Sequence, residues 1–296
     1  MFTNNTPTTY HPRDTDPSQY EFENGRRYHA YRAGKYPMPN DPAEQDRMDM
    51  QHHLYFLILQ GRLYGAPLPS HVENVLEIGC GTGKWAIDFA DQHPESTIIA
   101  TDLSFIQPEW VPPNLHFEID DAEEEWDYHR EFDYIHVRSM GGSIGDWPRL
   151  LEQAYKHLKP GGWVELMDFE TWATTDDNSL PLDSPYQEFQ VKLGEAARMF
   201  GKEMNISPRY KGFVEDAGFA RVNEEQYKAP LSPWPEQRRE KILGRYMQAQ
   251  MMESIEPYSL ALFTRVLKWE PERVQMLLAG VRKDLMNLDY HMYSVV

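Results

Sequence analysis

At 296 residues the chain is long for one domain and short for two independent ones. Hydrophobic residues make up 41% and aromatic residues 13% of it, which excludes a wholly disordered protein. The 29 Lys and Arg against 47 Asp and Glu give a formal net charge of −18, which disfavours nucleic acid and anionic membranes as partners because both are negatively charged.

The first twenty residues are rich in Thr, Asn, Pro and Asp, and residues 1–20 are predicted to form a flexible arm. They lack the basic and then apolar pattern of a signal peptide, and the sequence has no run of about 18 apolar residues. The single cysteine, Cys80, cannot form an internal disulfide, which agrees with a reducing compartment. We therefore expect a protein of the cytoplasm or nucleus with no membrane partner.

Residues 21–296 are predicted to form one domain that begins with a lid and a helix at residues 21–70. The lid is an irregular segment with many aromatic and basic residues, and a turn with several prolines follows at residues 37–42. Apolar residues at nearly helical spacing then predict the helix: Met48, Leu54, Leu57, Ile58 and Leu63.

Residues 71–230 alternate short apolar runs with helical patterns, which predicts right-handed parallel crossovers and a doubly wound α/β sheet. The predicted strands are NVLEIG, STIIATD, NLHFEID, FDYIHV and GGWVELMD, with helices at KWAIDFADQH and PRLLEQAYKHL. A sixth strand is expected at FARVNEEQY, after a helix at YKGFVEDAG. Residues 231–290 are predicted to form a helical cap with breaks near Pro257 and Pro271, and residues 290–296 a short final strand.

Three glycines, Gly79, Gly81 and Gly83, follow the first of these strands directly. This strand-to-helix turn lies where a doubly wound sheet binds ligands, outside the carboxyl ends of its strands. Glycine permits unusual backbone angles there and lets a ligand approach the chain closely. A tight turn without a ligand is the alternative, but three alternating glycines favour a binding site.

The spacing of the glycines selects among ligands. A nicotinamide fingerprint needs G-x-G-x-x-G, and Lys84 occupies its third glycine position, which weakens the dinucleotide interpretation. The pattern is instead E-x-G-x-G-x-G with Glu77 as its acidic residue, and it resembles the class I S-adenosylmethionine (SAM) methyltransferases.

Acidic residues end the next two predicted strands. Asp102 stands about 20 residues beyond the glycines, where a carboxylate can accept hydrogen bonds from a ribose, although a turn cap is the commoner role of a single Asp. In the resembled family, an acidic residue followed by Ala after the third strand reaches the adenine amino group. This implies Asp121 with Ala122, and Asp120 is the alternative in register.

Three further residues complete the predicted cofactor site. Arg138 stands at the mouth of the fourth strand, which in a methyltransferase faces the sulfonium and the incoming nucleophile. Cys80 and Leu103 flank the glycines and Asp102, and we assign them to the same site. The Pro-Gly-Gly turn into the fifth strand is interpreted as structural.

A narrower resemblance covers about residues 20–290. The segment EFENGRRYHAYRAGKYPMPNDPAEQDRMDMQHHL, together with DDAEEEW, GSIGDWPRLLEQAYKHLKPGGWVE and LALFTRVLKWEPERVQMLL, is similar to the fungal LaeA-like methyltransferases. The resemblance implies a mostly parallel, seven-stranded class I sheet with N- and C-terminal helical elements, and SAM as cofactor. It favours Tyr28 and Arg32 as lid residues over the cofactor, since an arginine can pair with the methionyl carboxylate, and an aromatic surface that packs on the sheet is the alternative.

This family contains both biosynthetic enzymes and regulators of secondary metabolism that associate with velvet proteins in the nucleus. Two departures from it stand out. The sequence stops at LDYHMYSVV, where the family usually continues into a longer final strand, and it has no long basic N-terminal extension. We expect the seventh strand to be short or rebuilt.

The resemblance implies methyl transfer to a small secondary metabolite. The alternatives are a regulatory protein with velvet-type partners, a SAM-fold enzyme with other chemistry, and an NAD-dependent oxidoreductase. A closed aromatic pocket favours the first function, and an open cleft with an exposed apolar patch favours the regulator. Methyl transfer needs no obligatory base. No catalytic residue and no metal is assigned, because ordinary packing or surface roles are favoured for the conceivable bases His29, His136 and His291.

Overall fold

The computed structural model describes residues 20–296, so the predicted arm lies outside it except for Tyr20. The described chain begins with an antiparallel hairpin of β1 (Tyr20–Glu23) and β2 (Arg26–His29). Helix α1 (Pro42–Ile58) follows, and its N-cap Asp41 accepts a hydrogen bond from the Glu44 amide at 3.1 Å. The aromatic and basic segment is therefore ordered into a hairpin that leads to the helix.

A parallel sheet of five strands forms the centre of the fold. Its strands are β3 (Asn74–Ile78), β4 (Thr97–Asp102), β5 (Leu115–Ile119), β6 (Phe132–Arg138) and β7 (Leu158–Met167). They are ordered β5-β4-β3-β6-β7, so the chain reverses its direction of winding between β3 and β6. The switch point opens a crevice at the carboxyl ends of these two strands.

Helices cover both faces of the sheet because both faces of its strands are apolar. Helix α2 (Lys84–Gln92) connects β3 to β4, and helix α3 (Trp147–His157) connects β6 to β7. Val75 of β3 packs in the cluster of α2, whereas its neighbour Leu76 packs in the cluster of α3. The first five predicted strands and the helices predicted at KWAIDFADQH and PRLLEQAYKHL are therefore found, and the sheet is doubly wound as expected.

The remaining helices are α4 (Pro185–Phe200), α5 (Tyr210–Asp216), α6 (Arg238–Arg265) and α7 (Pro271–Met286). Helices α4, α6 and α7 pack on one another around a third apolar cluster. We call these three helices the cap. The break expected at Pro257 is absent, and this buried proline lies inside the continuous helix α6. The packing of α1, α4 and α7 against α6 holds the helix together at this position. Within residues 20–296, no helix combines the length and the apolar composition that a bilayer span requires.

The sheet has five strands rather than the seven expected. Residues 219–227, predicted as the sixth strand, contain no regular strand. The short strands β8 (Lys228–Pro230) and β9 (Tyr293–Val295) instead form a separate antiparallel pair. This pair joins the segment after β7 through a bridge between Thr174 and Tyr293 and a hydrogen bond from the Glu170 amide to the Val295 carbonyl. The short final strand is thus present beside the sheet.

Candidate active site

The turn between β3 and α2 carries the three glycines. Gly79 and Gly81 have φ angles of +69° and +55°, which glycine adopts without a steric penalty, and both line the crevice at the strand ends. A Cβ atom on Gly79 would collide with the Met140 sulfur. Gly83 lies outside the crevice and packs against the Phe117 ring. The first two glycines therefore shape the crevice, and the third lets α2 approach the sheet.

Asp102 ends β4 beside the glycine turn. One carboxylate oxygen accepts a hydrogen bond from the Gly81 amide at 2.8 Å, and the other accepts one from the Ser104 amide, also at 2.8 Å. Burial raises the pKa of this carboxyl, and the amide hydrogen bonds lower it in part. Leu103 and Cys80 also line the crevice. The structure therefore brings these predicted residues together around one carboxylate.

Three residues after β5, Asp120, Asp121 and Ala122, line the same crevice. Asp121 is buried, and its carboxylate lies 2.7 Å from the Lys35 ammonium and 3.9 Å from the Arg32 guanidinium. Both cations belong to the segment before α1. These ion pairs with Asp121 therefore hold the N-terminal segment against the crevice.

The predicted lid reaches the crevice through residues other than those expected. Residues 35–40 line it, whereas Tyr28 does not, because its buried ring lies under the Arg265 guanidinium of α6 at 4.8 Å. Arg32 also lies outside the lining, and its guanidinium pairs with Glu124 at 2.9 Å. Tyr28 thus holds the hairpin on the cap, and Arg32 ties the segment to the end of β5.

Glu77, the acidic residue of the motif, is buried at the base of the crevice. Its Oε2 atom has no hydrogen-bond partner among residues 20–296. Burial raises the pKa of this carboxyl to about 8, although the charge of Arg138 lowers it in part. His136 lies behind Glu77 at 3.6 Å, stacked on the Trp85 ring, and burial lowers the pKa of its imidazole. The crevice therefore presents an acid that lacks a cationic partner in contact with it.

Arg138, at the end of β6, lines the crevice near this acid. Its guanidinium lies 4.7 Å above the Tyr55 ring, and its Nη2 atom lies 3.0 Å from His52 Nδ1. Within the described chain, no carboxylate oxygen comes within 4.0 Å of it, since it forms none of the ion pairs there. A cation and an acid thus stand near each other without direct contact.

Beyond the strand ends the crevice continues into a largely apolar chamber between the sheet and the cap. Most of the side chains around it are buried, and they come from α4, α6 and the loops after β7. They include Phe169, Tyr186, Phe189, Leu193, Met204, Leu231, Met247 and Met251. No helix is predicted from the sequence at α4, although Ser184 as N-cap, Pro185 at the first position and Gly201 after the last turn form a recognisable signal.

A polar stripe on α1, of which Arg47, Gln51 and Tyr55 line the pocket, was not expected from the sequence. Glu44, Arg47, Gln51 and Tyr55 recur at intervals of three and four residues, which places them on one face of the helix. Arg47 pairs with Glu44 at 2.7 Å and donates to Gln51 at 2.6 Å. Gln51 and Tyr55 both lie within hydrogen-bond distance of the Ser139 hydroxyl. The stripe connects the N-terminal helix to the mouth of β6.

One acid in the lining is suited to proton transfer. Asp168 follows β7, and its Oδ2 atom accepts hydrogen bonds from the Gly141 amide at 2.7 Å and the Tyr210 hydroxyl at 3.0 Å. Burial raises the pKa of this carboxyl to about 6. The histidines considered as bases, His29, His136 and His291, all lie outside the lining. Across residues 20–296, no group of three or more His, Cys, Asp or Glu residues is arranged to hold a metal ion.

The sheet order, the glycine turn after β3 and the acidic ends of β4 and β5 together define a class I methyltransferase fold. The family described as "Methyltransferase domain" matches residues 50–220, which include all five parallel strands.

Similar proteins of known name identify the family within this class. Methyltransferase pytC of Aspergillus terreus is 44% identical over 92% of this chain and 85% of its own length. The secondary metabolism regulator LAE1 of Cochliobolus heterostrophus is 37% identical over 92% of this chain and 91% of its own length. The secondary metabolism regulator laeA of Aspergillus fumigatus is 34% identical over 99% of this chain and 80% of its own length. The chain belongs to the LaeA-like methyltransferase family.

Proposed function

We propose that this methyltransferase transfers the methyl group of SAM to a small, largely apolar metabolite. The observation that carries the proposal is the chamber between the sheet and the cap, which continues from the crevice at the strand ends. Its apolar and aromatic walls match the surface of a small organic ligand rather than that of a polar peptide. The relative named methyltransferase pytC supports an enzymatic role.

The residues at the strand ends fit the adenosyl and methionyl parts of SAM. Asp102 can bind the ribose hydroxyls beside Gly79 and Gly81, and Asp121, or Asp120 in the alternative register, can bind the adenine amino group. The unpartnered oxygen of Glu77 fits an ammonium group. When bound, SAM supplies a methyl group on positively charged sulfur.

The protein's own contribution to transfer is positioning, because an activated methyl carbon reacts once the acceptor is held in line with it. The cap side chains hold the acceptor and exclude water. Asp168 lies in the lining next to the mouth of β6, and with a pKa of about 6 it is mostly ionised at neutral pH. It can therefore accept a proton from a hydroxyl or amine acceptor.

The second candidate is a regulatory methyltransferase that acts through a velvet-type protein partner. Two observations favour it: the relatives LAE1 and laeA are named as regulators, and the cap exposes the apolar side chains Met199, Met276 and Met286. Such a role would take place in the nucleus, whereas the biosynthetic role is compatible with the cytoplasm. The largely apolar lining of the chamber makes the small acceptor our first choice.

A labelling experiment separates the two functions. The protein is incubated with methyl-deuterated SAM and a fungal extract, which is then divided into small-molecule and protein fractions for mass spectrometry. We expect the label in a small apolar compound, and no label with Gly81→Val protein. Label confined to the protein fraction would reject the small acceptor in favour of the regulatory candidate.

Asp102→Ala tests the ribose contact. We expect the binding of S-adenosylhomocysteine (SAH) to weaken by about 1.5–3 kcal/mol, the range for hydrogen bonds to a charged group. Isothermal titration calorimetry measures the change, and circular dichroism checks the fold. Asp91→Ala, on the exposed side of α2, is the matched control and should bind SAH like the unaltered protein. Equal affinities for both variants would remove Asp102 from the site.

The N-terminal segment should close over the bound cofactor. Residues 35–40 line the crevice and Lys35 pairs with Asp121, so a ligand there adds its binding free energy to the cost of local opening. We expect slower amide hydrogen exchange in residues 20–45 with SAH, and unchanged exchange in α7. If exchange in residues 20–45 is unchanged while residues 79–83 are clearly protected, the segment does not close over the cofactor. It would then be a structural element or a surface for a protein partner.

A further inference from the structure

Within residues 20–296, the Arg138 guanidinium has no carboxylate partner in contact with it. The guanidinium is half-buried, and burial lowers its pKa because a charge is poorly solvated there. A buried guanidinium is ordinarily paired with a carboxylate, yet in residues 20–296 none lies within 4.0 Å of this one. The side chain lines the crevice, so an anion delivered by a ligand can reach it.

Two neighbours hold this guanidinium in place. His52 of α1 lies 3.0 Å from Arg138 Nη2 through its Nδ1 atom, and 2.9 Å from Asp88 Oδ2 through its Nε2 atom. A guanidinium can only donate, so Nδ1 must accept and the proton must reside on Nε2, facing Asp88. The imidazole is therefore neutral, in agreement with its pKa, which burial and the charge of Arg138 lower. Asp88 thereby fixes the tautomer that orients Arg138.

We propose that Arg138 is the binding site for the methionyl carboxylate of the cofactor, and that His52 is the residue that positions it. The proposal rests on the SAM-binding function proposed above. It replaces Arg32, whose guanidinium pairs with Glu124 and lies outside the crevice lining.

The chemistry beside Arg138 identifies the ligand as an amino acid. Glu77 faces the same crevice with an unpartnered oxygen that an ammonium group would satisfy. An acid and a guanidinium that both line the crevice but do not pair with each other match the two charges of a zwitterion. The adenosyl part of SAM carries neither charge, so the pair recognises only the amino-acid end.

A comparison of two ligands tests the proposal by calorimetry. SAH carries the amino-acid end, and 5′-methylthioadenosine lacks it but keeps the adenosyl part. We expect Arg138→Met to weaken SAH binding about 30-fold or more, as for a lost charge-assisted pair, with the affinity for 5′-methylthioadenosine changed by less than about twofold.

The His52 variants isolate the positioning role. His52→Ala should weaken SAH binding about 5- to 10-fold, and His52→Asn, which keeps an acceptor near Nδ1, should restore most of it. The neighbouring His53 is exposed and its ring packs against Tyr246, so His53→Ala is the matched control and should bind both ligands normally. Asp102→Ala should weaken both ligands together.

The outcomes separate the two proposals. Equal losses for both ligands in the Arg138 and His52 variants would show a structural role and overturn the carboxylate site. Unchanged SAH affinity in Arg138→Met would overturn it as well. If the unaltered protein binds neither ligand, the proposed SAM-binding function itself fails.

Discussion

Gly81→Val is expected to abolish detectable SAH binding while the protein remains folded. Gly81 has a φ of +55°, which a β-branched residue adopts only with strain, and its Cβ would lie 2.9 Å from the Met48 sulfur. The added side chain would stand in the crevice beside the amide that donates to Asp102. A loss of about 100-fold or more in affinity is expected, since both steric exclusion and a displaced carboxylate act on the ligand.

The matched control separates backbone strain from exclusion of the ligand. Gly201 also has a positive φ, +88°, but nothing lies within 4 Å of the position of its Cβ, and it is outside the crevice. Gly201→Val should therefore lower the melting temperature without changing the SAH affinity. If Gly81→Val binds SAH normally and shows an unchanged circular dichroism spectrum, the glycine turn does not belong to the site.

Glu77→Gln is expected to weaken SAH binding about tenfold or more, because it removes the anion that faces the ligand's ammonium group. The unaltered protein should also bind more tightly as the pH rises from 6 to 7.5. Burial raises the pKa of Glu77 to about 8, so the free protein must release a proton to pair with the cation. Calorimetry in buffers of different ionisation enthalpy measures that proton directly.

The same carboxyl makes the free protein less stable at high pH. Its ordinary pKa is 4.5 and its folded value is about 8, so between these values the folded state binds more protons than the unfolded state. Stability therefore falls as the pH rises through this window. Glu77→Gln should remove this contribution and raise the melting temperature at pH 8. Glu73→Gln, exposed at the start of the same strand, is the control. An unchanged pH dependence in Glu77→Gln would contradict the assignment.

The central sheet is predictable from the sequence because buried parallel strands are continuous apolar runs, and right-handed crossovers fix their direction. The glycine turn and Asp102 are predictable for the same reason, since they end strands whose positions are known. The expected strand at residues 219–227 is different. Its apolar residues Phe219, Val222 and Tyr227 do not alternate with a period of two, and the segment is irregular.

The parts of the site that depend on tertiary packing are not predictable in this way. The apolar pattern of α4 does not reveal that its side chains face the end of the sheet, and the stripe from Glu44 to Tyr55 has the spacing of any helical face. Arg138 is recognisable at its strand end, but His52 comes from a helix 86 residues away in sequence. Tyr28 and Arg32 were expected as lid residues because aromatic and basic residues suit a ligand, yet the same chemistry also packs a hairpin against α6.

Direct calorimetric titration of the unaltered protein tests the central claim, that the strand-end crevice is a SAM site. We expect SAH to bind with a dissociation constant in the micromolar range, roughly −8 kcal/mol, because the charges of Glu77, Asp102 and Arg138 and the glycine backbone all face one ligand. NAD should give no measurable heat at about 1 mM, because Lys84 stands where the dinucleotide-binding fingerprint has its third glycine. Binding of NAD without binding of SAH would show that the crevice is not a SAM site.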